Sequence, residues 1–181
     1  MFGNVRTLFF SGMLGKLLGV VRELLSAALF GTGPVAVSYR LAQAAFLIPL
    51  HGFLSETFGA GFTPEYARNR VQDVRRARAL FAAMHAIALI VSALVGAAVA
   101  FFAADWVRLL APGFNSSTAA LTTRMVQWMA LAMPLYALTN LYASAQLASG
   151  KASVASARAS AQSIGLIVGA LLIWRSGDPL M

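Results

Sequence analysis

Cysteine is absent from this 181-residue chain, and charged residues are scarce. Without thiols the chain can form no disulfide, no thiolate metal site and no cysteine nucleophile. The two histidines, His51 and His85, lie far apart in the sequence, so we expect no zinc site. Only 11% of the residues are charged, whereas a soluble domain has about 25%. This shortage excludes an ordinary soluble enzyme domain, and the high apolar content excludes a disordered chain.

Apolar residues are what the chain has in excess. They make up 59% of the sequence, and the mean hydropathy is +0.74. Because a helix needs about 20 mostly apolar residues to cross a bilayer, the sequence predicts an all-α membrane protein with about five transmembrane helices. The predicted spans cover residues 7–30, 35–58, 79–104, 123–149 and 157–174, and together they form a single bundle over residues 1–181. Pro49 and Pro134 lie inside the second and fourth of these spans.

Basic residues exceed acidic ones by fourteen to six, which gives a net charge of +8. In a membrane protein such an excess marks cytoplasmic loops beside an anionic leaflet, so we expect no nucleic-acid partner. Placing residues 68–78 in the cytoplasm leaves only three basic loop residues outside, Arg108, Arg124 and Arg175. Eight are then inside: Arg6, Arg68, Arg70, Arg75, Arg76, Arg78, Lys151 and Arg158. This bias predicts a multi-pass protein with a cytoplasmic N-terminus.

Several ionisable residues fall within the predicted spans, where a central charge costs about 2.5–3.5 kcal/mol on insertion scales. In the first span, Lys16, Glu23 and Ser26 share a helical face with glycines 12, 15 and 19, and Arg22 lies at the edge of that face. In the second span, Arg40 and His51 are eleven residues apart and lie nearly on one face. The pattern predicts polar faces on two otherwise apolar helices.

Two interpretations of these charges remain open. They line a wet cavity that binds a phosphate, pyrophosphate or carboxylate, which arginine grips with two hydrogen bonds. Alternatively, they reach the membrane interfaces or pair with each other, and serve packing alone. The sequence contains no Walker A loop and no HExxH or GxSxG pattern. We therefore expect a transporter or flippase without a cofactor rather than an enzyme, with a structural membrane subunit as the alternative from another class.

Four motifs resemble the MviN/MurJ family of lipid II flippases. Residues 15–23 (GKLLGVVRE) and 30–33 (FGTG) resemble its first helix. Residues 61–66 (GFTPEY) are similar to its segment after the second helix, and residues 106–107 (WV) with 111–114 (APGF) to its loop after the third. The resemblance implies the multidrug/oligosaccharidyl-lipid/polysaccharide exporter fold. It also implies that an undecaprenyl-pyrophosphate-linked glycan is moved across the bacterial inner membrane by alternating access.

The resemblance also implies roles for single residues. Arg22 and Lys16 match basic cavity residues of the family, Lys151 falls beside a basic loop position, and Glu56 matches an acid shifted by about one position. We assign substrate binding to Arg22, Lys16, Arg40 and His51, and cavity lining or charge pairing to Glu23 and Glu56. The family's acid is missing from residues 35–40, and Leu50 and His51 stand where the family has two arginines. These departures leave room for another lipid-linked oligosaccharide, such as an exopolysaccharide or O-antigen unit.

The family has more helices than the five predicted here. The resemblance therefore implies the N-terminal portion of such a protein, comprising most of one bundle. We expect the chain to need a C-terminal bundle or self-association, and to contact membrane lipids.

Overall fold

The computed structural model describes residues 13, 16–25, 27–28, 31, 33–54, 60–150, 161, 163–165 and 167–168. The regular structure in these residues is helical, and they include no strand. The helices are α1 (Pro34–Leu54), α2 (Thr63–Gln72), α3 (Val74–Phe101), α4 (Ala103–Leu110), α5 (Ser116–Ala130) and α6 (Met133–Ala148). Residues 16–25 are helical as well. The expected all-α class is confirmed.

The chain divides into two compact units. One comprises Met1–Ala36 and Lys151–Met181, and the other comprises Val37–Gly150. The single bundle expected over residues 1–181 stays a prediction. Helices α2 to α6 and most of α1 belong to the second unit, which is the part described in most detail.

Helix α3 corresponds to the third predicted span. Among the described residues it is the one helix both long and apolar enough to cross a membrane. It begins at Val74 rather than at residue 79, because the Asp73 carboxylate accepts the backbone N–H groups of Arg75 (2.8 Å) and Arg76 (3.3 Å). It ends at Phe101, and α4 follows after a one-residue break. The total of about five membrane spans stays a prediction.

Where the sequence predicts one helix over residues 123–149, the structure has α5 and α6. The break lies at Leu131 and Ala132, shortly before Pro134 in the first turn of α6. Proline has no N–H to donate to the carbonyl of Ala130, whereas it fits the first turn of a new helix. The Ala132 N–H bonds three residues back, to Met129 (2.9 Å), and this tighter turn closes α5.

Helices α3, α5 and α6 bury residues at every fourth position. Such spacing keeps the buried residues on one face of each helix, and the small ones allow close helix approach. The buried rows are Ala88, Ser92 and Gly96 on α3; Thr118, Thr122, Val126 and Ala130 on α5; and Met133, Ala137, Leu141 and Ala145 on α6. Helix α3 packs along α6 and also contacts α2 and α5.

Helix α1 packs against α4 and α5 through a second core, formed by Ala42, Ala45, Ala103, Val107 and Val126. Pro49 lies inside α1, so the carbonyl of Ala45 cannot receive the usual N–H from four residues later. The indole N–H of Trp106 donates to this carbonyl at 3.2 Å. The Trp106 side chain thus supplies a hydrogen bond in place of the backbone one that Pro49 removes from α1.

Candidate anion-binding residues

The helical residues 16–25 place Arg22 beside Glu23. Arg22 Nη2 donates to Glu23 Oε1 at 2.6 Å, with the two side chains 26% and 57% exposed. A guanidinium carries five N–H groups, so this single bond does not use up its capacity for an anion. The pair also brings two opposite charges together within an apolar segment.

Lys16 lies in the same segment and is exposed. Seven residues separate it from Glu23, which is nearly two helical turns and about 10 Å along the axis. The two residues therefore share a face, as the sequence predicted. Gly19 lies between them, half-buried and with open space around it. Residues 12, 15 and 26, the remaining members of the predicted polar face, are outside the described residues.

Arg40 and His51 both lie on α1 and are exposed. Eleven residues along a helix correspond to about 16 Å, so the two side chains start from well-separated positions. The side chain of Arg40 makes no hydrogen bond or ion pair within the part of the chain that the structure describes. Glu56 and Lys151 lie outside that part.

His51 contacts Tyr136, a residue for which the sequence predicted no role. The distance from His51 Nε2 to the Tyr136 hydroxyl is 3.3 Å. The half-buried tyrosine ring also packs edge-on against Phe46, with the ring centroids 5.5 Å apart. The contact joins the C-terminal part of α1 to the first turns of α6. The only signal in the sequence was a tyrosine in an apolar span, whose hydroxyl needs a polar partner.

His85 lies in an aromatic cluster. Its ring is 6.3 Å from that of Phe81 and 5.9 Å from that of Tyr142, measured between centroids. These contacts give it a packing role between α3 and α6. Across the described residues, no group of three or more histidines and acids is placed to hold a metal ion.

Comparison with known families identifies the chain. A family model described as lipid II flippase MurJ matches residues 26–179. The chain belongs to this family. The assignment confirms the resemblance, and the family is one of inner-membrane flippases. Searches of curated proteins and of solved structures gave no match.

The matched region includes four of the selected residues, Arg40, His51, Glu56 and Lys151. It begins after the motif at residues 15–23, which carries Lys16, Arg22 and Glu23. The family assignment therefore does not depend on the charged residues that first suggested it.

Proposed function

We propose that the chain takes part in moving a polyprenyl-pyrophosphate-linked cell-wall precursor of the lipid II type outward across the inner membrane by alternating access. The observation that carries this proposal is the family match over residues 26–179. The chemistry comes from cationic side chains on apolar helices, because a pyrophosphate group can cross a membrane interior only if its charge is compensated.

Arg22 is the principal pyrophosphate-binding residue in this proposal, and Lys16 assists it. Glu23 accepts a hydrogen bond from the Arg22 guanidinium at 2.6 Å. The pyrophosphate then competes with this carboxylate for the same N–H groups, so that Arg22 exchanges one anionic partner for another. Such an exchange keeps the half-buried arginine paired with an anion in both states.

On α1, Arg40 supplies a further positive charge, and His51 contributes a polar group held by Tyr136. Because this contact joins α1 to α6, a substrate that binds His51 acts on the packing of both helices. Glu56 serves as a charge partner and Lys151 as a basic loop residue.

A flippase for another lipid-linked oligosaccharide is the second candidate. It is favoured by the missing acid in residues 35–40 and by His51 where the family has an arginine. Both candidates share the polyprenyl pyrophosphate and differ in the glycan, so the same measurement distinguishes them.

The test is equilibrium binding to the chain in lipid nanodiscs, with fluorescent lipid II and an undecaprenyl-pyrophosphate-linked O-antigen sugar as alternative probes. We expect lipid II to bind more tightly. Arg22→Ala should weaken binding by about 10–100-fold, since a hydrogen bond to a charged group contributes about 1.5–3 kcal/mol. Arg22→Lys should also weaken it, because lysine keeps the charge but lacks the two-pronged geometry.

The control is Arg124→Ala, which removes an exposed arginine of α5 and should leave binding unchanged. Unaltered binding in both Arg22 variants would remove Arg22 from the mechanism. Equal affinity for undecaprenyl phosphate without a sugar would contradict recognition of a glycan, and tighter binding of the O-antigen probe would favour the second candidate.

A further inference from the structure

A basic bend joins α2 to α3. We define the elbow as residues 68–78, in which Asp73 is the single non-helical residue between the two helices. All five arginines of the elbow are exposed: Arg68, Arg70, Arg75, Arg76 and Arg78. Residues 63–78 contain these five arginines and two acids, Glu65 and Asp73, which leaves a local charge of +3.

Only part of this positive charge is compensated. Arg68 pairs with Glu65 at 2.8 Å, and Arg76 pairs with Asp73 at 3.4 Å. Arg70 donates to the hydroxyl of Ser149. Arg75 and Arg78 have no side-chain partner among the residues described by the structure. These two arginines therefore present their full charge at the surface of the first turns of α3.

Two apolar side chains accompany the arginines. Val71 is 89% exposed and Val74 is 55% exposed, on either side of Asp73. A single exposed valine is ordinary in a soluble protein, but these two adjoin the start of the helix that is long and apolar enough to cross a membrane. At a bilayer surface the valines can enter the acyl boundary while the long arginine side chains reach the phosphates.

The elbow is held in place by packing on its inner side. Phe62 is buried and stacks on Tyr66, with ring centroids 5.0 Å apart, and Tyr66 contacts Phe81 of α3 at 6.0 Å. Together with the Arg70–Ser149 hydrogen bond, these contacts fix α2 against α3 and α6. A surface arranged before binding loses less conformational entropy when a ligand binds.

We propose that the elbow binds the headgroups of anionic phospholipids in the surrounding membrane. The unpaired arginines lie where α3 changes from charged to apolar sequence, after residue 78, which is where a crossing helix leaves the headgroup layer. To set the orientation of a membrane helix, a loop needs only positive charge. A lipid-binding surface must in addition prefer anionic over zwitterionic lipids. The proposal uses none of the residues assigned to substrate binding, so it stands independently of the substrate.

The chain's lack of cysteine makes the test direct. Gln72→Cys, at an exposed elbow position, is labelled with a fluorophore, and the chain is placed in nanodiscs of phosphatidylcholine and phosphatidylglycerol. Nitroxide headgroup labels are carried by one lipid or the other. We expect stronger quenching by phosphatidylglycerol than by phosphatidylcholine at equal content. Salt at about 1 M shortens the screening length to about 3 Å and should remove the difference.

The double variant Arg75→Gln/Arg78→Gln should reduce the preference for phosphatidylglycerol over phosphatidylcholine. The expected reduction is up to about fivefold for each arginine, which is equivalent to ~1 kcal/mol per surface charge. Arg75→Lys with Arg78→Lys should keep it. Arg108→Gln with Arg124→Gln, two exposed arginines elsewhere, should also keep it. Equal quenching by both lipids in the unaltered chain, or an equal loss in the Arg108/Arg124 pair, would overturn the proposal.

Discussion

Gly96 lies where α3 meets the break between α5 and α6. A Cβ atom added to it would be 2.8 Å from the carbonyl oxygen of Ala130 and 3.4 Å from Cβ of Met133. The Ala130 carbonyl is the one that Pro134 cannot bond. A backbone carbonyl cannot rotate away as the end of a flexible side chain can, so this contact leaves no space for a side chain.

Gly96→Ala should therefore destabilise the protein, although alanine is the better helix former. Overpacking in a close-packed interior costs about 1–3 kcal/mol, which exceeds the ~1 kcal/mol advantage of alanine over glycine in a helix. Thermal unfolding in detergent, followed by tryptophan fluorescence, measures the difference. The matched control is Gly52→Ala in α1, where a new Cβ meets nothing within 4 Å. Equal midpoints for the two variants would contradict the close contact.

The sequence did not predict which small residues lie at close helix contacts. The sequence placed Gly15 and Gly19 on the polar face of the first span, whereas Ala88, Ser92 and Gly96 form the buried row of α3. Their four-residue spacing was visible, but small residues recur in most apolar helices and only the fold shows which of them meets a neighbour's backbone. Tyr136 was missed because its partner His51 is 85 positions away.

At the scale of helices, the two prolines inside predicted spans affect helix continuity in opposite ways. Pro49 leaves α1 continuous, and Pro134 stands at the start of a new helix. The difference lies in what the neighbouring helices offer. Trp106 donates an N–H to the carbonyl left by Pro49, whereas the carbonyl of Ala130 is packed against a glycine.

Trp106→Phe should destabilise the protein by about 1–3 kcal/mol, because it leaves the Ala45 carbonyl buried without this donor. The same substitution should have a smaller effect in a Pro49→Ala background, where residue 49 regains the N–H that α1 lacks. A double-mutant cycle of unfolding free energies measures the coupling, expected to be about 1 kcal/mol. Strictly additive effects of the two substitutions would show that the indole hydrogen bond contributes nothing.

The boundaries of the helices were only partly readable. Hydropathy predicted a span over residues 35–58, and α1 covers Pro34–Leu54. Hydropathy predicted α5 and α6 as one helix, because a hydropathy average over many residues does not detect the missing backbone N–H of Pro134. It also omitted the start of α5 at Ser116, where the Asn115 side chain accepts the N–H of Thr118 at 2.9 Å. Caps and proline breaks act at single residues, and hydropathy does not record them.

At the scale of the second unit, the hydrogen bond between Arg70 and Ser149 brings the elbow and the end of α6 together. Helix α3, with 28 residues, is about 42 Å long and exceeds the ~30 Å hydrocarbon layer. Helix α4 has 8 residues and is too short to cross a layer of this thickness. Helices α5 and α6, with 15 and 16 residues, are each about 23 Å long, so neither is long enough to cross this layer alone.

This arrangement predicts the sidedness of three single cysteines. Gln72→Cys and Leu147→Cys, at exposed positions near the elbow and near the end of α6, should react with an impermeant maleimide from the same side. Gly113→Cys, in the open loop before α5, should react from the other side. Because arginines are in excess near Gln72, we expect its side to be the cytoplasmic one. Labelling of Gln72→Cys and Gly113→Cys from one side in spheroplasts would contradict the crossing of α3.

The pairing of Pro49 with Trp106 has a historical consequence. A lineage that loses the proline regains a peptide N–H at that position, and substitution of its tryptophan is then tolerated. A lineage that loses the tryptophan first must pass through a form in which the Ala45 carbonyl lacks its donor. Ancestral reconstruction should therefore find that, where both residues have been replaced, the proline was replaced before the tryptophan.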